Sequence, residues 1–151
     1  MQIRYAHTNI IAQDWRMLCD FYIEVLNCTP KPPQRDQSGG WLDRGLGISN
    51  AHLKGMHLLL PGHGDGGPTL EIYQYSELIP SAKSYPNKKG YGHLAFEVED
   101  VAEVLNKALQ HGAQKSGEIS SNQVPGVGII TFIYIYDPEG NLIELQSWEL
   151  E

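Results

Sequence analysis

A chain of 151 residues can bury one substantial core, and 41% hydrophobic with 19% charged residues is the balance of a folded domain rather than of a disordered chain. Eighteen acidic residues against eleven basic ones leave a net charge of -7, which argues against nucleic acid or an anionic membrane surface as a partner. No apolar stretch approaches the roughly 20 residues that span a bilayer, and no basic-then-apolar leader opens the chain, so the expected location is the cytoplasm. The only two cysteines, Cys19 and Cys28, are spaced for neither a zinc knuckle nor a disulfide framework and read as structural thiols.

Taken in order, Ile3 to Ile11 has strand composition with His7 and Thr8 at its centre. Asp14 is the expected N-cap of a helix in which Trp15, Leu18, Phe21, Tyr22, Val25 and Leu26 recur at helical spacing. Pro30, Pro32 and Pro33 are expected to stop that helix. Residues 34–50, polar and glycine-rich around Trp41, read as a loop with at most a short strand or turn. Residues 51–60 read as a strand, 61–68 (P-G-H-G-D-G-G-P) as a turn, and Thr69 to Tyr75 as a further strand.

Residues 77–90 carry turn-forming Pro80, Ser81, Ser84, Pro86, Asn87 and Gly90, and the order then restarts. Tyr91 to Val98 reads as a strand. Asp100 caps a helix closed by Gly112, with His111 at its C-terminal end. A short strand is expected near Lys115 to Ile119, a long one over Val127 to Tyr136, a tight turn at D-P-E-G-N (137–141) and a last strand over Leu142 to Trp148. The sum is one α+β domain of two βαβββ modules, about 1–76 and 91–151, joined by the linker 77–90, with curved mixed sheets around a metal-binding cleft. One helix per several strands excludes a doubly wound parallel fold.

The repeat extends to chemistry. His7 and His93 each stand seven residues before an aspartate, Asp14 and Asp100. Downstream, G-P-T-L-E ends on Glu71 and G-N-L-I-E on Glu144, so a glycine precedes each glutamate by four residues. Two facing sheets could aim one histidine and one glutamate from each module into a shared cavity. Imidazole nitrogens and carboxylate oxygens suit divalent Zn, Ni, Co, Mn or Fe, and four protein ligands leave two octahedral positions open. A single strand histidine is more often an ordinary packed or solvated residue; it is the equivalent placement in two repeats that favours metal. His52, His57 and His63 have no matching partner. His57, in an apolar strand, has a place from which to line the cavity but is expected to be an ordinary strand residue.

The H-T-N-I opening, the G-H-L-A-F-E-V-E-D restart and the D-P-E-G-N-L-I-E-L ending resemble the vicinal oxygen chelate superfamily over nearly the whole chain. That group includes glyoxalase I, methylmalonyl-CoA epimerase, extradiol dioxygenases, and fosfomycin and bleomycin resistance proteins. The resemblance places the metal ligands on His7, Glu71, His93 and Glu144, and implies a small-molecule substrate and a homodimer, with modules paired within a chain or across the dimer.

Three activities are consistent with it. In a glyoxalase-I-like (lactoylglutathione-lyase-like) lyase or isomerase, a glutamate removes a proton beside a carbonyl and the metal stabilises the enediolate. Glu144 is the expected base, with Glu71 as its partner. All four ligands of that pattern are present, whereas an epimerase would place glutamine at Glu71. The arginine and asparagine with which glyoxalase I contacts glutathione are replaced by Ile11 and Tyr75, which points to a different small carbonyl substrate. An extradiol-type dioxygenase would use His7, His93 and Glu144 as a facial triad with Tyr134 orienting the substrate, but no histidine stands between Thr69 and Tyr75 to act as its acid–base group. A non-catalytic, resistance-type binding protein would use Trp41, Tyr73 and Tyr75 as a pocket lining. The retained ligand set favours the first.

Overall fold

A computed structural model of the chain describes residues 1–151, which divide into two compact units, Met1–Ser81 and Ala82–Glu151. The first contains β1 (His7–Ile11), α1 (Trp15–Leu26), β2 (Thr29–Ser38), α2 (Gly40–Leu46), β3 (His52–Leu59) and β4 (Thr69–Tyr75). The second contains β5 (Leu94–Glu97), α3 (Val101–Gln110), β6 (Gln114–Lys115), β7 (Ser120–Val124), β8 (Gly128–Tyr136) and β9 (Leu142–Leu150). No helix is long and apolar enough to cross a membrane.

Each unit has a mixed sheet. The first runs β1-β4-β3-β2, the second β5-β9-β8, with β6 and β7 taking successive lengths of the free edge of β8. In both, the opening strand lies parallel to the closing one, β1 on β4 and β5 on β9, and the remaining pairings are antiparallel. The mixed α+β architecture expected from the sequence is present.

Alternation along the strands separates a core face from a polar face. In the first sheet Ile10, Leu58, Leu70 and Ile72 are buried together with the apolar stripe of α1, including Trp15, Leu18, Phe21, Tyr22 and Val25. Each large side chain so removed from water contributes about 1.5–3 kcal/mol. The residues between them, His57 on β3 and Thr69, Glu71 and Tyr73 on β4, share the opposite face. In the second sheet Ile133, Ile135, Ile143 and Leu145 form the core side, and Tyr134 and Glu144 stand on the other.

The expected caps are present: Asp14 Oδ1 accepts from the amides of Arg16 and Met17, and Asp100 Oδ1 from that of Glu103. Helix α1 ends earlier than the prolines, at Asn27 in the left-handed conformation (φ 55°), and Gly112 (φ 94°) follows the His111 cap of α3. Residues 34–50, expected to be mostly loop, contain the end of β2 and all of α2. β2 pairs only with β3, and an edge strand tolerates its three prolines because their missing N–H groups need not complete a ladder. α2 has poor intrinsic propensity, with glycines at 40 and 45, and buries only Leu42. Its exit is fixed instead by the Asp43 carboxylate, which accepts from the amides of Asn50 and Ala51, 2.9 Å each. The strand expected over 91–98 is shorter, so His93 immediately precedes β5 rather than lying within it.

Candidate metal centre

In the first unit the parallel register pairs His7 with Thr69 and Asn9 with Glu71, which sets Glu71 two residues beyond the partner of His7 on the same face. His7 Nε2 lies 3.7 Å from Glu71 Oε1. In the second unit Leu94 pairs with Ile143 and Ala95 with Glu144, so the same two-residue offset relates His93 to Glu144. Their closest atoms, Nε2 and Oε2, are 3.0 Å apart. Each module therefore joins its own expected histidine and glutamate.

His57, which the sequence left without a partner, is directly opposite Glu71 across the β3–β4 hairpin. Its Nε2 is 2.9 Å from Glu71 Oε2 and 3.1 Å from the Tyr73 hydroxyl, and its Nδ1 is 2.9 Å from Thr69 Oγ1. The rings of His7 and His57 meet edge to face with centroids 5.7 Å apart. One ligand atom each from His7, His57 and Glu71 can be chosen so that all lie within 4.8 Å of one another. Counting outward from the turn at 61–68 would set residue 58 opposite residue 71; the register closes instead on Leu59 with Thr69, which brings His57 opposite Glu71.

Asn9 Nδ2 donates to Glu71 Oε1 at 2.9 Å, fixing the carboxylate from the other flank. Burial lowers the pKa of His57; Glu71 opposes this, while Arg35, His7 and Lys31 add to it. A carboxylate can only accept, so Nε2–H donates to Glu71, and in that neutral tautomer Nδ1 accepts from the Thr69 hydroxyl. Burial raises the Tyr73 phenol well above its ordinary value, followed by the charge of Glu71 and a hydrogen bond to it, with Arg35 opposing. Burial also raises the Tyr75 phenol, with Glu71 adding to it.

In the second unit Tyr134 occupies the position opposite Glu144, and its ring meets that of His93 edge to face at 4.8 Å. Burial, then the Glu144 charge, raises its phenol. Of the proposed pocket aromatics, Tyr73 packs with Leu42, Ala51, Leu53 and Tyr75 in a small hydrophobic cluster. Trp41 is exposed, its indole N–H donating to the Ser38 carbonyl. His52 forms a surface pair with Asp36, 2.6 Å apart.

The donor set of imidazole nitrogen and carboxylate oxygen, without sulfur, fits a borderline-to-hard divalent ion. Thr69 stands behind His57 and Asn9 behind Glu71, the kind of partner that orients ligating groups in metal sites.

The model of the Glyoxalase/Bleomycin resistance protein/Dioxygenase superfamily matches residues 4–145, and the chain belongs to that superfamily. A glyoxalase family protein from Bacillus cereus has the same fold: TM-score 0.75 at 22% identity, over 98% of this chain and 94% of that one. The fosfomycin resistance protein FosX from Listeria monocytogenes aligns with TM-score 0.61 at 21% identity, over 99% of this chain and 97% of that one, and has also been solved with Mn(II) and sulfate. A virulence protein from Salmonella typhimurium aligns with TM-score 0.57 at 22% identity over 99% of each chain. No curated protein matches the chain.

Proposed function

We propose that the chain is a divalent-metal-dependent lyase or isomerase of the glyoxalase I type, acting on a small carbonyl substrate. His7, Glu71, His93 and Glu144 serve as metal ligands in this reading. The observation that carries it is the repeated histidine–glutamate pair at the same two-residue offset in both modules. Superfamily membership and the Mn(II) complex of FosX support the metal. Location in the cytoplasm and homodimerisation belong to the same reading, on the strength of the family.

A divalent ion bound by these residues supplies Lewis-acid stabilisation of negative charge developing on a carbonyl oxygen. The chain supplies the base. Glu144 takes the proton from the carbon beside the carbonyl: unlike Glu71, which has Asn9 and His57 on either flank, its position in the repeat is lined by Ala95 and Tyr134. A carboxylate with fewer fixed partners moves between binding and proton transfer at lower cost. Glu71 is its partner carboxylate from the first module. Tyr73 and Tyr134, kept protonated by burial, act as hydrogen-bond donors and not as bases.

The contact between Tyr134 and His93 favours a second reading, an extradiol-type dioxygenase using His7, His93 and Glu144, since a protonated tyrosine beside a ligand histidine suits orientation of a substrate hydroxyl. The test is metal analysis of untreated protein, followed by loading with Ni, Co, Zn, Mn or Fe. Proton exchange into solvent from a hemithioacetal or a related α-hydroxycarbonyl compound supports the lyase. Oxygen uptake with catechols and no proton exchange replaces it with the dioxygenase. Absence of any stoichiometric ion overturns both in favour of a binding protein.

A further inference from the structure

We propose that His57 is itself a metal ligand, forming with His7 and Glu71 a two-histidine, one-carboxylate face carried wholly by the first module, so that an ion is retained there without His93 and Glu144. This rests on reading the chain as metal-dependent.

Two imidazoles converge on one carboxylate, His57 Nε2 at 2.9 Å from Oε2 and His7 Nε2 at 3.7 Å from Oε1, and one ligand atom from each of the three lies within 4.8 Å of the others. Metal–ligand bonds of about 2.1 Å put neighbouring ligand atoms about 3.0 Å apart and opposite ones about 4.2 Å apart. His57 Nε2 already stands at the neighbouring distance from Glu71, and backbone register fixes that contact because the two are direct cross-strand partners, while the three ligand atoms must close together from separations of at most 4.8 Å.

The surroundings of His57 suit ligation better than simple packing. A ligand histidine is commonly oriented through its other ring nitrogen. Thr69 Oγ1 stands 2.9 Å from Nδ1 and can accept a hydrogen bond as readily as donate one. Binding then needs only a change of tautomer: Nδ1–H donates to Thr69, and Nε2 is released from Glu71 to the ion, with no polar group left unsatisfied. Asn9 holds Glu71 from the far side throughout. The second module has no such third donor, because a tyrosine, Tyr134, stands at the place equivalent to His57. The donor set is therefore three in one module and two in the other, an asymmetry that the paired sequence motifs conceal.

The test uses the full chain with Mn(II) and Co(II) as probes. His57→Ala is expected to weaken Co(II) binding by about 100-fold or more, since even an outer partner of a ligand changes affinity by about 10–100-fold. The double variant His93→Ala/Glu144→Ala is expected to retain one Co(II) per chain, and nitrogen modulation in the pulsed electron spin resonance of its Mn(II) form should count two imidazoles. His57→Gln keeps the volume and carries the same expectation if His57→Ala unfolds. Both His57 variants binding Co(II) within threefold of wild type, or a double variant that binds no ion, would overturn the proposal while leaving the proposed function standing. Wild-type protein that binds no divalent ion sinks both.

Discussion

His57 and Tyr134 occupy the same place in the two modules, each the direct cross-strand partner of the module's glutamate and each edge-on to its histidine. An imidazole that could hold a metal thus stands in one half where a phenol stands in the other. Tyr134→Phe is expected to leave metal affinity within about twofold while lowering turnover by about 10-fold or more, as loss of a positioned proton donor does. Isothermal titration beside steady-state kinetics separates the two effects; a parallel loss of metal would place Tyr134 among the ligands.

Asn9 is the one side-chain amide that holds Glu71, and its counterpart in the second module is Ala95. Asn9→Ala should weaken metal binding by about 10-fold with little change in folding stability, the signature of an orienting partner. Competition with a chelator dye measures it, and unchanged affinity removes Asn9 from that role.

The D-P-E-G-N turn is a structural device. The buried Asp137 carboxylate accepts from the amides of Glu139 and Asn141 and from the Asn141 side chain at 2.8–3.0 Å, and Gly140 supplies the left-handed turn residue (φ 89°). Asp137→Ala leaves those donors without this acceptor and should cost about 2–3 kcal/mol. Urea unfolding provides the measurement, and a loss below about 0.5 kcal/mol contradicts the assignment.

A Cβ on Gly55 would lie 2.0 Å from the Ile72 carbonyl oxygen and 2.5 Å from the Tyr73 ring. Neither backbone nor a packed ring can yield that much, so Gly55→Ala should destabilise the chain by about 3 kcal/mol or more. The same denaturant titration applies, together with loss of metal, since the two strands forced apart carry His57 and Glu71.

Burial pushes both Cys19 and Cys28 up to about 12, with the charge of Asp20 contributing next at Cys19. At about pH 8 neither should react with a disulfide reagent until the chain is denatured, when both should. These thiols keep protons that the unfolded chain releases, so their contribution to stability is complete below the ordinary thiol range and is lost as pH rises from there toward 12. Rapid labelling of the native protein contradicts this.

Much of the fold was legible because its strongest signals are local. Asp14 and Asp100 cap as expected, the apolar stripe of α1 packs as spaced, and each long β-branched run forms a strand. β2 and α2 were not, since three prolines and several glycines argue against regular structure, and what stabilises them lies elsewhere in the chain: the β3 edge and the amides of Asn50 and Ala51. At the site, duplication exposed His7 with Glu71 and His93 with Glu144. His57 was hidden because its counterpart is a tyrosine, and a search for repeated residues passes over a position where the copies diverge.

In each module the histidine comes from or just before the opening strand and the glutamate from the closing one, laid side by side in parallel. Neither pair can exist in a nascent or truncated module that lacks its last strand. An ion that needs such a pair would consequently bind only to molecules whose sheet is complete, and metal uptake would trail folding.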